Sequence, residues 1–129
     1  MLVATVNVNG IRAAVRKGME AWVDETKADV VLLQEVRAPE ELVAEIVGDD
    51  YTLIQQASVL KGRAGVAIAV RKDHPVSASA IGIGSDEPAV DTGRWVEATV
   101  PSLGTTFVSA YLHSGVADNP DKMAAKYFH

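Results

Sequence analysis

The chain has 129 residues, of which 48% are hydrophobic and 22% charged, and its formal net charge is −5. This balance is typical of one soluble globular domain; it excludes a disordered chain and argues mildly against a protein that coats nucleic acid. No apolar run approaches the roughly 20 residues that cross a bilayer, and without cysteine the chain cannot form disulfides or thiolate metal sites. The N-terminal residues carry no basic export signal, so we expect a cytoplasmic protein with no membrane partner.

The N-terminal part of the chain has the pattern of a βαβ unit. Residues 2–7 alternate like a strand, which Asn9 and Gly10 end. One helix with an apolar stripe is predicted next, and Gly18 is expected to weaken this helix by about 1 kcal/mol without ending it. The stripe consists of Ile11, Val15, Met19, Trp22 and Val23. Residues 28–33 form a short apolar run that is typical of a strand buried on both faces, and the two strands should be parallel.

The remainder of the chain predicts a second helix and then antiparallel strands. Pro39 is expected at the first position of this helix, and Gly48 at its end. Strands are predicted at residues 51–55, 66–70, 76–81, 95–100 and 105–112. Short stretches of turn-forming residues separate them, which favours antiparallel neighbours. A last helix is predicted from Asn119 to His129 with no terminating cap, so we expect a domain that is cut within this helix.

Two polar side chains are expected to meet at one edge of the sheet. Asn7 ends the first strand and Glu35 follows the second, and parallel strands of a βαβ unit end at the same edge, where open α/β sheets bind ligands. Neighbouring strands lie about 4.8 Å apart, so both side chains could serve one Mg²⁺ ion or its bound water. Position alone leaves open that Asn7 only forms a turn and that Glu35 is a capping or salt-bridged residue.

A series of short segments carries more specific information. They are T-V-N-V-N-G-I-R at residues 5–12, A-D-V-V-L-L-Q-E-V at 28–36, G-R-A-G-V-A-I at 62–68, I-G at 83–84, D-x-G-R at 91–94 and S-A-Y at 109–111. In order and spacing these segments resemble the exonuclease III and abasic-site endonuclease family. The resemblance implies an α/β fold that is half of a four-layer α/β/β/α sandwich of the deoxyribonuclease-I-like type, with a mixed, mostly antiparallel sheet. Residues 1–129 would be the N-terminal half of a single domain.

The same resemblance implies a Mg²⁺- or Mn²⁺-dependent hydrolase of DNA repair. Its partner would be double-stranded DNA, cleaved beside abasic sites and trimmed from 3′ ends. By similarity, Glu35 ligates the metal, Asn7 belongs to the metal and phosphate network, and Tyr111 is a catalytic residue whose phenol lies near the scissile phosphate.

The DNA contacts implied by the resemblance are Arg12 and Arg63, on loops that approach DNA, and Ser114, which replaces a larger amide. Arg94 would be structural. Arg12 also belongs to a basic group with Arg16 and Lys17 that is equally well explained as a solvated face.

The resemblance also implies that catalytic groups are missing. In the family, an aspartate that activates water, an aspartate–histidine pair and a further asparagine come from the C-terminal half of the domain. The chain alone is therefore expected to be inactive or nearly so, because metal catalysis also needs a group that generates the nucleophile. Two alternatives stay open: a phosphodiesterase of the same fold that acts on a non-DNA phosphoester such as a lipid or inositol phosphate, and a non-catalytic half-domain that binds DNA or a partner.

Overall fold

The computed structural model describes residues 1–60, 62–82 and 92–111. Within these ranges the chain forms α-helices, one short 3₁₀ helix and β-strands. The α-helices are α1 (Ile11–Arg16), α2 (Met19–Thr26) and α3 (Glu40–Val47), and the 3₁₀ helix is Pro101–Leu103. The strands are β1 (Val3–Asn7), β2 (Val30–Gln34), β3 (Tyr51–Gln56), β4 (Val66–Arg71), β5 (Ala78–Ile81), β6 (Trp95–Val100) and β7 (Thr105–Ala110). Among these elements, no helix has the length and apolar character needed to cross a membrane.

The strands form two sheets. The first has the order β1-β2-β4-β3, in which β1 and β2 are parallel and the other neighbours are antiparallel. The second has the order β5-β6-β7 and is antiparallel. The parallel pair arises because α1 and α2 carry the chain back to the start of the sheet before β2 begins. The predicted mixed, mostly antiparallel α/β architecture is confirmed.

Two apolar cores hold the layers together, and β2 contributes to both. Val31 and Leu33 face the helices, where they belong to a buried cluster with Met19, Val23 and Val43. Val30 and Leu32 point to the opposite face and pack in the cluster between the two sheets, whose central members include Ile68, Val96 and Val100. This explains why β2 is apolar at successive positions, and each fully buried side chain of this size contributes about 1.5–3 kcal/mol.

Some local predictions are wrong in detail. The single predicted helix is two helices, because Gly18 adopts a left-handed conformation (φ 98°, ψ 22°) that a helix interior does not allow. The stripe is interrupted too, since the Trp22 side chain is exposed. Pro39 is the cap that precedes α3, not its first helical residue. Gly48 ends this helix as predicted.

Several predictions fall outside the described residues. They concern the I-G pair at residues 83–84, Asp91 of the D-x-G-R segment, Ser114 and the last helix from Asn119 to His129.

Candidate active site

The structure brings Asn7 and Glu35 together at the edge where β1 and β2 end. The Asn7 Nδ2 group donates a hydrogen bond to Glu35 Oε1 over 3.0 Å. The Asn7 Oδ1 atom also accepts a hydrogen bond from the backbone N–H of Asn9 over 3.0 Å. The turn after β1 therefore orients the Asn7 side-chain amide. The predicted meeting of these two side chains is confirmed.

Glu35 lies in an unusual backbone conformation. Its φ is 51°, in the left-handed region, where a non-glycine residue is uncommon and costs about 1–3 kcal/mol. Hydrogen bonds on both sides hold this turn: Gly10 donates to the Glu35 carbonyl over 2.7 Å, and Val36 donates to the Gly65 carbonyl over 3.0 Å. The loop after β1 and the glycine-containing loop before β4 therefore fix the direction in which the Glu35 side chain leaves the sheet.

Arg37 completes the immediate surroundings of Glu35, and sequence reasoning missed it. Its Nη2 atom lies 2.7 Å from Glu35 Oε2, and the exposed fractions of the two side chains are 44% for Arg37 and 15% for Glu35. Each oxygen of the carboxylate thus has one donor, which is the way a partly buried charge is stabilised. The signal for Arg37 was weak, because a residue two positions after Glu35 turns back to it only when both residues have positive φ, here 51° and 54°.

A glycine contact joins the Glu35 turn to the second sheet. The Gly65 N–H donates to the Gly93 carbonyl over 2.8 Å. A Cβ atom on Gly93 would lie 2.9 Å from the Gly65 nitrogen and 2.7 Å from the Ser58 nitrogen, so only glycine fits here. This close approach gives a physical reason for the glycine of the D-x-G-R segment. Gly65 is confined for a different reason, because its φ is 96° and a Cβ there would lie 3.2 Å from Val36 Cβ.

Tyr111 follows β7 and is positioned by Arg94. The Tyr111 N–H donates to the Arg94 carbonyl over 2.9 Å, Arg94 Nη1 donates to the Tyr111 carbonyl over 3.4 Å, and the guanidinium lies 5.0 Å from the centre of the phenol ring. Tyr111 also packs against the core between the sheets. Among the described residues, no hydrogen bond joins Tyr111 to Asn7 or Glu35.

A cavity lined by three arginines includes Arg37, the residue that pairs with the Glu35 carboxylate. Its volume is about 440 Å³, and Arg12, Arg37 and Arg63 contribute to its lining. Arg12 was expected on a loop, but it is the second residue of α1, where the chain turns into a helix directly after Gly10. Arg63 lies in the loop before β4 as expected, so the topology gathers three arginines from separate segments. The remaining lining residues are Ala38, Pro39, Ala57, Ser58, Val59 and Gly62. Such a cavity suits an anion. The predicted pair Arg12 and Arg63 is therefore brought together, whereas Ser114 lies outside the described part of the chain.

The perturbed titratable groups lie elsewhere. The Leu2 N–H and then the His74 ring hold the pKa of Asp29 below its ordinary value, and burial raises the pKa of Tyr51. Asp29 precedes β2 and Tyr51 begins β3, so both lie at the opposite end of the first sheet from Glu35. Neither takes part in the chemistry of the Asn7–Glu35 edge.

The donor set at this edge fits a hard divalent cation only in part. Within residues 1–60, 62–82 and 92–111, no three histidine, aspartate or glutamate side chains form a metal-binding group. Glu35 is a single carboxylate, but Mg²⁺ is commonly bound by one or two carboxylates together with water and phosphate oxygens. Each oxygen of Glu35 keeps a lone pair beyond those used by Asn7 and Arg37. Glu35 can therefore supply one ligand, and a complete site needs further groups.

Comparison with solved structures shows the same fold in DNA-acting enzymes. An AP endonuclease from Archaeoglobus fulgidus has a TM-score of 0.72 and 29% sequence identity, and the match covers 98% of this chain and 47% of that one. The APE2 catalytic domain from Xenopus laevis has a TM-score of 0.72 and 20% identity, with 98% and 49% covered. The 3′ phosphatase NExo from Neisseria, bound to product DNA hairpin, has a TM-score of 0.72 and 21% identity, with 98% and 47% covered. The chain spans about half the length of these proteins.

The comparison at the level of sequence families covers nearly the whole chain. No curated protein matches the sequence of this chain. The model of the endonuclease/exonuclease/phosphatase family matches residues 4–123, a range that includes Asn7, Glu35 and Tyr111. The fold, the order of the motifs and this match agree, and the chain belongs to the endonuclease/exonuclease/phosphatase family.

Proposed function

We propose that the chain is the N-terminal half of a divalent-metal-dependent phosphodiester hydrolase that acts on DNA in repair, at abasic sites and 3′ ends. The observation that carries this proposal is the Asn7–Glu35 contact of 3.0 Å at the edge where β1 and β2 end. Arg37, which pairs with Glu35, also lines a cavity together with Arg12 and Arg63. This adds support, because a phosphodiester substrate needs a cation at the reacting phosphate and positive charge near its other phosphates.

Each residue has a distinct part in this proposal. A bound Mg²⁺ or Mn²⁺ ion would act as a Lewis acid on the scissile phosphate. Glu35 holds the cation through its carboxylate, and Asn7 keeps that carboxylate oriented by its hydrogen bond. Tyr111, whose ring is fixed by Arg94, directs its hydroxyl to the phosphate as a hydrogen-bond donor. None of these groups is a base that activates water, so a second half of the domain must provide it, and the chain alone is expected to bind without cleaving.

The choice of DNA as the substrate rests on the positive charge of the cavity and on the similar solved structures. Arg12 and Arg63 line the cavity and form no ion pair within the described residues. Guanidinium groups that have no carboxylate partner are suited to bidentate phosphate contacts. The Archaeoglobus fulgidus neighbour is an AP endonuclease, and the Neisseria neighbour was solved with a DNA hairpin, which supports the same class of substrate here. Ser114 is proposed as a further, smaller DNA contact.

A metal titration of the chain tests the central assignment. Mg²⁺ binding is followed by NMR through the side-chain amide signal of Asn7, in the wild type and in Glu35→Gln. The Glu41→Gln variant is a matched control, because Glu41 is exposed in the first turn of α3. We expect Glu35→Gln to abolish the response and Glu41→Gln to leave it intact. Unchanged binding in Glu35→Gln would refute the metal site.

DNA binding is measured separately by fluorescence anisotropy with an abasic duplex at several salt concentrations. Replacing Arg12 or Arg63 with glutamine should weaken DNA binding. Each substitution should also reduce the slope of the logarithm of the binding constant against the logarithm of the salt concentration by about one unit. Arg16→Gln is the control, since Arg16 is exposed but does not line the cavity. DNA binding that is independent of Mg²⁺ and of Glu35 would favour the non-catalytic half-domain, and no DNA binding at all would favour a non-DNA phosphoester.

A further inference from the structure

The side chain of Gln34, the last residue of β2, connects the two sheets. Its Nε2 group donates to Ser109 Oγ of β7 over 3.0 Å and to Thr5 Oγ1 of β1 over 3.1 Å. Ser109 donates in turn to the Leu33 carbonyl over 2.8 Å. A short polar network therefore joins the ends of β1 and β2 in the first sheet to β7 in the second.

Ser109 is exceptional in its burial. It is 1% exposed, and it is the one buried polar residue in the described part of the chain. A buried hydroxyl is stable only when it has hydrogen-bond partners, and both partners of Ser109 belong to the last two residues of β2. The serine thus fixes the end of β7 to the end of β2, instead of simply filling space between the sheets.

Gln34 directly precedes Glu35, whose side-chain orientation determines cation binding in the proposed function. Glu35 has a φ of 51°, and strained backbone of this kind persists only where its surroundings hold it. Gln34 is directly bonded to Glu35, and the Gln34 side chain is held at two points. The contact to Ser109 adds a further restraint to the peptide that joins Gln34 to Glu35, beside the Gly10 and Val36 hydrogen bonds that hold the Glu35 turn.

The network also relates two parts of the candidate site that have no direct hydrogen bond to each other. Gln34 immediately precedes Glu35, and Ser109 lies two residues before Tyr111. The contact between Gln34 and Ser109 therefore sets the distance between the strand end that carries the carboxylate and the strand end that carries the phenol. The hydrogen bond from Gln34 to Thr5 extends the same network to β1, which ends at Asn7.

We propose that Gln34, through its hydrogen bond to Ser109, is a positioning residue that holds the Glu35 carboxylate in the orientation that binds a divalent cation and keeps it in register with Tyr111. This inference rests on the proposed function, because it takes Glu35 as the metal ligand. Gln34 touches neither the metal nor the substrate in this proposal. Its effect passes through the backbone of Glu35 and through Ser109.

The variants are chosen to separate positioning from simple stability. Gln34→Met keeps the length of the side chain and removes its amide. Ser109→Ala removes the hydroxyl but leaves the contact between Gln34 and Thr5, and Ser109→Thr restores a hydroxyl at the same place. Thr106→Val is the matched control, because it removes a hydroxyl that pairs with Thr99 over 2.9 Å near the opposite end of β7.

The experiment measures the apparent Kd of the chain for Mg²⁺, with the NMR signal of the Asn7 side-chain amide as the probe, at a temperature where each variant is folded. We expect Gln34→Met and Ser109→Ala each to raise this Kd about three- to tenfold, the ratio that corresponds to the loss of one neutral hydrogen bond. The double variant should raise the Kd by less than the product of the two single effects, since both variants remove the contact between Gln34 and Ser109. Ser109→Thr should restore the Kd, and Thr106→Val should leave it unchanged.

The possible failures are distinguishable. If Glu35→Gln abolishes Mg²⁺ binding but Gln34→Met and Ser109→Ala bind like the wild type, Gln34 is not a positioning residue and the metal site stands. If Thr106→Val weakens binding as much as Ser109→Ala, the effect is general loss of stability and the proposal is overturned. If Glu35→Gln itself binds Mg²⁺ normally, the proposed function fails first. If Gln34→Met does not fold, Ser109→Ala and its rescue by Ser109→Thr decide the question.

Discussion

The Asn7 side-chain amide donates to Glu35 Oε1 over 3.0 Å, and its own oxygen accepts the Asn9 N–H over the same distance. The second contact determines the first, because the backbone of the turn places the amide oxygen away from Glu35 and leaves the nitrogen facing the carboxylate. Asn7 therefore acts as a fixed hydrogen-bond donor. The edge of the sheet is arranged to hold one carboxylate, and position 7 faces it directly.

An Asn7→Asp substitution should make the stability of the chain depend on a divalent cation. Two carboxylates at hydrogen-bond distance repel each other, so the melting temperature should fall by several degrees in the presence of a chelator. Mg²⁺ should then stabilise the variant more than the wild type, since a ligand that binds only the folded state raises its stability. Asn9→Asp is the control, and it should show neither effect. Equal stabilisation of wild type and Asn7→Asp by Mg²⁺ would argue against a cation site here.

Removing the positive charge beside Glu35 should strengthen cation binding. Arg37 lies 2.7 Å from Glu35 Oε2 and repels any cation that approaches the same carboxylate. Because the Arg37 side chain is 44% exposed, solvent screens this repulsion, and the affinity of Arg37→Met for Mg²⁺ should rise only about two- to fivefold. Isothermal titration calorimetry measures the change.

Arg71→Met is the control for that experiment. It removes the same net charge from an ion pair with Asp73 at the far end of β4, and it should leave Mg²⁺ affinity unchanged. Weaker binding in Arg37→Met would mean that Arg37 orients Glu35 more than it repels the cation.

The sequence predicts the meeting of Asn7 and Glu35 because one topological rule suffices: parallel strands of a βαβ unit end at the same edge. The contact of Gln34 with Ser109 could not be predicted in that way, since it joins residues 75 positions apart and depends on how two sheets pack. Arg37 was missed because its approach to Glu35 requires a left-handed conformation at both Glu35 and Arg37, on either side of Val36. In each case the missing information is backbone geometry that only tertiary contacts impose.

The break between α1 and α2 was missed for a different reason: here the sequence pattern predicted more continuous structure than the chain forms. The stripe from Ile11 to Val23 has the period of one helix, and Gly18 alone was expected to be tolerated. The structure ends α1 with a turn in which Lys17 and Gly18 donate to carbonyls of α1, and α2 begins after it at Met19. The periodicity was sufficient to predict helical residues, but the glycine conformation decides how many helices they form.

Gly93 should tolerate substitution far less than Gly62, although both have nearly the same φ. Their φ values are 73° and 74°, so an added side chain is strained to a similar degree, about 1–2 kcal/mol. A Cβ on Gly62 meets nothing within 4 Å, whereas on Gly93 it lies 2.7 Å from the Ser58 nitrogen. Gly93→Ala should therefore lower the free energy of unfolding by at least about 2 kcal/mol more than Gly62→Ala in urea denaturation. Equal losses would show that the Gly65–Gly93 contact is loose.

Asp29, His74 and Ser102 form a second polar cluster at the end of the sheets opposite Glu35. Asp29 Oδ1 lies 2.9 Å from His74 Nε2, and His74 Nδ1 lies 2.9 Å from Ser102 Oγ. The other oxygen of Asp29 accepts the Leu2 N–H over 2.8 Å. The cluster thus connects the start of β2, the loop after β4 and the 3₁₀ helix between β6 and β7. The contacts that Asp29 accepts depend on its charged form.

This dependence predicts how acid destabilises the chain. The Leu2 N–H and then His74 lower the pKa of Asp29 in the folded state, so the folded chain binds this proton less readily than the unfolded chain. The stabilisation is therefore complete above about pH 4 and is lost as the pH falls through the lowered pKa. Asp29→Asn should be less stable at neutral pH, and its unfolding free energy should fall less steeply below about pH 4 than that of the wild type. Urea denaturation across this range measures both slopes. Asp73→Asn, at an exposed ion pair, should retain the wild-type slope, and the same acid slope in all three proteins would show that Asp29 is not the group responsible.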